Sequence, residues 1–370
     1  MRIWIDGKEA NVFQRLGSSQ VAFNLIRSLE KIDKKNDYTI LLPEEPLEDL
    51  PKTRKEWDYK ILWPNKLWTR IALPLALYSA KLKPDLIFSP THYIPRFSPV
   101  KRVVTIFDLS YLHFPDMFNK KDLWQLTNWS KFSIENADHI ITISNFSKKD
   151  IVDQYRIDKS KITVAYPGYD QGVFNTNIGD DRVKQVLTEF SIEGAYIIYI
   201  GTVQPRKNLI RLIEAVGRIE DIKLIVVGKT KGKGKQGWMY EDILKRPKEL
   251  GIEDRVIFTG FVETEKLPPL IKGAVAFIQP SLYEGFGIPV VEAMACGTPV
   301  VVSNVSSLGE VVGEAGLVFN PYSVDQIEQA IRTITADKRL RTRFSKLGIK
   351  RAKKFSWEAM AKTILKTFTN

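Results

Sequence analysis

From Ile3 to Phe319 the chain repeats one unit: a short run of β-branched and aromatic residues, a turn, then a longer stretch of helical character. Parallel strands with helices on both faces read as continuous apolar runs of this kind, because neither face meets water. The runs fall into two series. The first comprises Ile3 to Asp6, Tyr38 to Leu42, Tyr59 to Trp63, Asp85 to Ser89, Val103 to Phe107, His139 to Ile143 and Ile162 to Tyr166. Helical stretches lie between them, among them Val21 to Lys31 and Lys121 to Ala137. The second comprises Tyr196 to Ile200, Lys223 to Val227, Val256 to Thr259, Ala274 to Gln279, Pro299 to Ser303 and Gly316 to Phe319. From Val324 onward the pattern is helical. Residues 167–194, which open on Pro167-Gly168-Tyr169-Asp170, break the alternation and read as the connection between two domains.

A chain of 370 residues exceeds what one hydrophobic core usually serves. The expected fold is therefore α/β, two tandem Rossmann-like doubly wound parallel-sheet domains facing a central cleft. The expected boundaries are 1–172 for an N-terminal domain and 173–354 for a C-terminal domain. Residues 355–370 are expected to form a C-terminal helix returning to the first domain. Ligands of such sheets bind outside the carboxyl ends of the strands, so the chemistry is expected there.

The start Met1-Arg2-Ile3-Trp4-Ile5-Asp6-Gly7 reads as a first strand and lacks the form of a secretory signal. The apolar run Ile71 to Tyr78 contains Pro74 and is far short of the roughly 20 residues that span a bilayer. A single cysteine, Cys296, fits a reducing compartment, and the expected location is cytoplasmic. The net charge of +12 calls for an anionic partner. Residues 51–83 hold eight Lys and Arg against Glu56 and Asp58, and they also carry Trp57, Trp63 and Trp68. Such interleaving suits peripheral contact with an anionic membrane at the inner face, with a solvated face over core tryptophans as the alternative. No nucleic-acid motif accompanies the charge.

The most informative segment runs from Pro280 to Pro299 and contains Glu284-Gly285-Phe286-Gly287-Ile288-Pro289 and Glu292. It follows an apolar run, its glycines let backbone amides approach a ligand, and Pro289 suits the start of a helix. Exposed amides at a helix start attract anions. Glu284 is expected in the loop and Glu292 in the first helical turn, both able to grip sugar or ribose hydroxyls.

This segment resembles the Glu-x7-Glu signature of family 4 glycosyltransferases, retaining enzymes of the GT-B fold. The resemblance extends to Val164-Ala165-Tyr166-Pro167-Gly168-Tyr169-Asp170, to Tyr199-Ile200-Gly201-Thr202-Val203-Gln204-Pro205-Arg206-Lys207-Asn208, to Ala137 through Ser144, and to Phe355-Ser356-Trp357. It implies that Glu284 contacts hydroxyls of the transferred sugar and Glu292 the ribose. Gly285 and the amides of Phe286, Gly287 and Ile288 would meet the sugar and phosphates, and Gly260 and Phe261 the base. Arg206 and Lys207 match the pair that neutralises the diphosphate leaving group, where negative charge grows as the glycosidic bond breaks. Gly17-Ser18-Ser19-Gln20 resembles the family's glycine loop; a plain helix cap explains the same residues.

The implied activity is metal-independent, retaining transfer of a sugar from a UDP- or GDP-sugar to a glycan or lipid-linked glycan, with no cofactor beyond the donor co-substrate. A nucleotide-sugar 2-epimerase, a phosphorylase or a catalytically weak nucleotide-sugar binding protein on the same fold are the alternatives. Two positions depart from the family's pattern. Thr202 stands where relatives often carry Arg, so Arg206 is expected to supply that charge. Phe107 stands where many relatives have His, which makes Asp108 the polar candidate at that strand end, with a turn cap as its other role. His92, His113 and His139 are scattered and form no metal-ligand spacing. Gly232 to Gly237 spells a dinucleotide fingerprint, but the preceding strand is expected to end several residues earlier, at Gly228. The four lysines from 229 to 235 mark that stretch as a loop. Cys296 is expected to pack rather than react.

Overall fold

The computed structural model describes residues 1–229 and 240–369. The fingerprint-like segment Gly232 to Gly237 lies outside the described residues. All the strands expected from the apolar runs are present: β1 (Arg2–Asp6), β2 (Asp37–Leu42), β3 (Trp57–Ile61), β4 (Leu86–Ser89), β5 (Lys101–Ile106), β6 (His139–Thr142), β7 (Ile162–Val164), β8 (Tyr196–Ile200), β9 (Lys223–Val227), β10 (Val256–Gly260), β11 (Ala276–Gln279), β12 (Val300–Ser303) and β13 (Gly316–Phe319). They form two sheets, ordered β3-β2-β1-β4-β5-β6-β7 and β10-β9-β8-β11-β12-β13. Every pairing between neighbouring strands is parallel. Each sheet reverses direction of growth once, between β1 and β4 and between β8 and β11, which is the doubly wound arrangement.

The strands are apolar throughout because helices cover both faces. In β8 all five residues are buried, as are all four of β11 and β12. β3 lies two residues earlier than the sequence pattern suggests, starting at Trp57 and ending at Ile61. The reason lies in the core: Trp57 is fully buried while Trp63 is 87% exposed, so the edge strand takes the register that puts the former inside.

The chain divides into two compact units, each holding one sheet. The first comprises Met1–Leu112, Lys120–Gly168 and Ser356–Asn370; the second comprises His113–Asn119 and Tyr169–Phe355. Besides the crossings at 112/113 and 119/120, the chain passes between them at 168/169 and 355/356, where 172/173 and 354/355 were expected. The terminal helix Trp357–Phe368 packs on the helix Ser18–Ile32 of the first unit. Gly168 marks the first passage because a side chain there would meet backbone: a Cβ would stand 2.1 Å from the Trp357 nitrogen and 2.4 Å from the Ser356 carbonyl carbon. The grouping of His113–Asn119 with the second unit has no counterpart in the sequence pattern. There the His113 ring stacks on Tyr283 at 5.3 Å.

Candidate active site

In the second unit the carboxyl ends of the central strands carry the polar chemistry. β8 ends at Ile200, and the chain turns through Gly201 and Gln204 into a single helical turn, Pro205–Lys207, with Arg206 and Lys207 on it. Asn208 closes the turn in the left-handed region (φ +59°), and its side-chain amide holds the Pro280 and Pro321 carbonyls at 3.0 and 2.7 Å. The Pro280 bond ties the turn to the loop that follows β11. The Leu282 amide donates to the Arg206 carbonyl at 2.9 Å, and the Arg206 guanidinium donates to the Tyr283 carbonyl.

This stitching brings Glu284 to the two cations. Glu284 is 8% exposed. Its Oε1 accepts from Lys207 Nζ at 2.5 Å, Ser281 Oγ at 2.7 Å and Gln279 Nε2 at 2.8 Å. Its Oε2 stands 3.7 Å from Arg206 Nη1. Burial by itself would push the carboxyl up, but the Lys207 ammonium, the Arg206 guanidinium and the hydrogen bonds from Lys207 and Ser281 outweigh it and hold it at about 2. Glu284 is therefore held ionised at neutral pH and has no proton to donate as an acid. It can anchor the cations and accept hydrogen bonds.

Sequence reasoning missed the groups that hold this carboxylate. Gln279 and Ser281 bond to it directly, Ser306 Oγ accepts its backbone amide at 3.0 Å, and Ser307 Oγ donates to its carbonyl at 2.8 Å. A glutamine ending an otherwise apolar buried strand was the available signal. The Oε1 of Gln279 is buried with no hydrogen-bond partner.

Gly287 has φ +101°, and a Cβ there would come within 2.9 Å of Leu308. The helix Ile288–Ala295 begins at the next residue, and its first amides have no intrahelical acceptor. Glu292 is the fifth residue of that helix, so it stands in the second turn and not the first as expected. Burial, and then the nearby Asp170 charge, push its carboxyl up to about 8. Cys296 is buried one turn further on, its thiol pushed up to about 12 by burial and then by Glu292, which keeps it unreactive.

Glu292 gives the protein a pH dependence. Its unfolded carboxyl titrates near 4.5, so between 4.5 and 8 the folded state holds a proton that the unfolded state has lost. The associated stability is complete below about 4.5 and disappears as pH rises toward 8. Glu292→Gln removes that loss. The variant should melt higher than wild type at pH 8, by about 1–2 kcal/mol given that water reaches this half-buried group, and match it at pH 5. Melting curves offset equally at both pH values would assign the titration elsewhere.

Gly260 (φ +72°) ends β10, and its carbonyl accepts the Gly228 amide at 2.9 Å, while Phe261 beside it is exposed. Both lie on the same carboxyl edge, two strands from β8. Gly17, Ser18 and Asp108 belong to the first unit. Gly17 occupies the position before the helix Ser18–Ile32 with φ +56°, and no side chain caps that helix. The Asp108 carboxylate accepts the Ser110 amide at 2.9 Å, the turn-cap role. The Phe107 ring packs edge-on against His92 at 5.2 Å. Burial lowers the His92 imidazole below its usual value, against the opposing Asp108 charge, and its Nδ1 is buried with no partner. Among the described residues no three His, Cys, Asp or Glu side chains stand close enough to hold a metal ion.

Two doubly wound domains, with an acid and two cations gathered at the strand ends of the second, define a nucleotide-sugar enzyme fold of the GT-B kind. Residues 17–172 match the Glycosyltransferase Family 4 model and residues 188–351 the Glycosyl transferases group 1 model, and the chain belongs to the family 4 glycosyltransferases. It is 34% identical over 283 residues to O-antigen chain mannosyltransferase B of Escherichia coli, covering 74% of this chain and 71% of that protein. In fold it is similar to a sucrose-phosphate synthase from Thermosynechococcus elongatus (TM-score 0.78, 21% identity, 100% and 98% of the two chains covered). It is also similar to Anabaena HepE, solved with UDP and glucose (TM-score 0.77, 19% identity, 100% and 99% covered).

Proposed function

We propose that this glycosyltransferase moves a hexosyl group from a UDP- or GDP-hexose to a glycan or lipid-linked glycan with retention of configuration and without a metal ion, in polysaccharide assembly. The observation that carries the reading is the Arg206, Lys207 and Glu284 cluster: two cations fixed by one buried carboxylate, beside a glycine-rich helix start. The identity with a mannosyltransferase favours mannose as the sugar transferred.

In this reading the bond from the anomeric carbon to the diphosphate oxygen breaks, and its electron pair leaves with the nucleoside diphosphate. Arg206 and Lys207 neutralise the charge that grows there. The acceptor oxygen bonds to the anomeric carbon on the face the diphosphate leaves, and its proton passes to a leaving phosphate oxygen. Glu284 keeps both cations oriented and offers its Oε2 to sugar hydroxyls. Glu292, largely protonated at neutral pH, can both donate to and accept from ribose hydroxyls. Retention and the ribose role rest on the family resemblance.

A panel of UDP- and GDP-hexoses tests the reading. One donor should raise the melting temperature by mass action, and acceptor glycan should then release its nucleoside diphosphate. Release that needs inorganic phosphate, or none with any acceptor, would replace transfer by one of the other activities of this fold.

A further inference from the structure

The segment between β3 and β4 is apolar on both sides. The chain runs through a wide helical turn, Trp68–Ala72, into the helix Leu73–Ser79. Its inner side, Trp68, Ala72, Leu73, Ala76 and Leu77, packs into the core with Trp4, Leu41 and Ile87. Its outer side would ordinarily be polar. Instead Trp63, Leu67, Ile71, Leu75, Tyr78 and Leu82 recur every three or four residues and all are exposed, Leu75 at 59% and Leu82 at 74%. Single exposed apolar residues are ordinary on protein surfaces, but Ile71, Leu75 and Tyr78 share one face of the helical stretch, and Trp63, Leu67 and Leu82 add exposed apolar surface on the chain that flanks it.

Along the chain the charge of this segment has one sign, with the exposed Glu44 carboxylate reaching it at Asn65, 3.4 Å away. From Tyr59 to Pro84 there is no Asp or Glu, while Lys60, Lys66, Arg70, Lys81 and Lys83 are all exposed. The Arg96 amide donates to the Thr69 carbonyl at 2.7 Å, which fixes the exposed Phe97 beside the same segment. Of the three tryptophans that drew attention in the sequence, Trp57 and Trp68 are core residues and Trp63 alone faces out.

We propose that the Trp63–Leu82 surface docks on an anionic phospholipid bilayer. Aliphatic and tryptophan side chains enter the headgroup boundary while the flanking cations meet lipid phosphates, the arrangement of an interfacial amphipathic helix. A second copy of this chain is a poorer occupant. A two-fold contact would bring the same patch against itself, setting five cations against five with Glu44 as the acid beside them. The surface belongs to the first unit, and the inference does not depend on the proposed reaction.

Vesicle flotation of the full chain tests it, using phosphatidylcholine with and without phosphatidylglycerol. Wild type should float only with the anionic vesicles and release as salt screens the cations. The exposed pair Leu75→Glu and Leu82→Glu should lower partitioning at least about tenfold, with unchanged melting temperature and donor stabilisation. Lys66→Glu with Lys81→Glu should do the same through charge alone. Equal flotation of variants and wild type would overturn the proposal. So would wild-type dimers that Leu75→Glu with Leu82→Glu turns into monomers, with no vesicle binding by either.

Discussion

Lys207→Ala should lower turnover about 100- to 1,000-fold, the loss expected when one fixed charge is removed from a developing anion in a dry site. The ion pair makes the stability side of the prediction specific. Removing one partner of a buried pair usually costs about 3–5 kcal/mol because the other charge is stranded. Here Ser281, Gln279 and Arg206 still serve Glu284, so about 1–2 kcal/mol is expected. The sign with pH follows from the depressed carboxyl. Its stabilising contribution is complete above about 4.5 and fades as pH falls toward 2, so the melting gap between variant and wild type should close in acid. Release of nucleoside diphosphate at saturating donor gives the turnover, and thermal melts across pH give the rest. Normal turnover in Lys207→Ala would remove the cation pair from the chemistry. A constant melting gap down to pH 3 would mean that the pair does not govern Glu284.

Gly168→Ala should produce the largest loss of stability, about 3 kcal/mol or more, and much of the chain should be recovered as aggregate. The added Cβ would meet backbone atoms of Ser356 and Trp357, which cannot rotate away as a side chain could. The strain falls where the chain leaves and rejoins the first unit, so it should loosen the terminal helix Trp357–Phe368 as well. Gly179→Ala is the control. It lies in open space with φ −67° at the N-cap of the helix Asp180–Glu189, where alanine caps less well than glycine, so a loss of at most about 1 kcal/mol is expected. Hydrogen exchange would show early opening of residues 357–368 in Gly168→Ala. Equal melting temperatures for the two variants would mean that the first unit adjusts around the added methyl group.

The fold was legible because parallel strands buried on both faces need continuous apolar runs, and that need is written locally. β8, β9 and β13 begin and end where the pattern puts them. β3 did not, since a Trp at either end satisfies the same local pattern and only the core decides which one it takes. In the site, the spacing of Glu284 and Glu292 and the Arg206-Lys207 pair were visible as motifs. Their protonation was not: two glutamates of the same loop and helix titrate at about 2 and about 8 because one has cations and donors beside it and the other has burial and Asp170.

The amino-acid sequence by itself determined the two series of strands, the family and the loop that bears the acids, because periodicity and short motifs are properties of neighbouring residues. Tertiary structure alone decided that Gln279 and Ser281 would share a carboxylate with Lys207, 72 and 74 residues before them in the chain. It also decided that His113 would stack on Tyr283, and which tryptophan of the basic segment would face solvent. These contacts join residues whose separation along the chain carries no periodic signal, so packing of the sheets and their helices had to choose them.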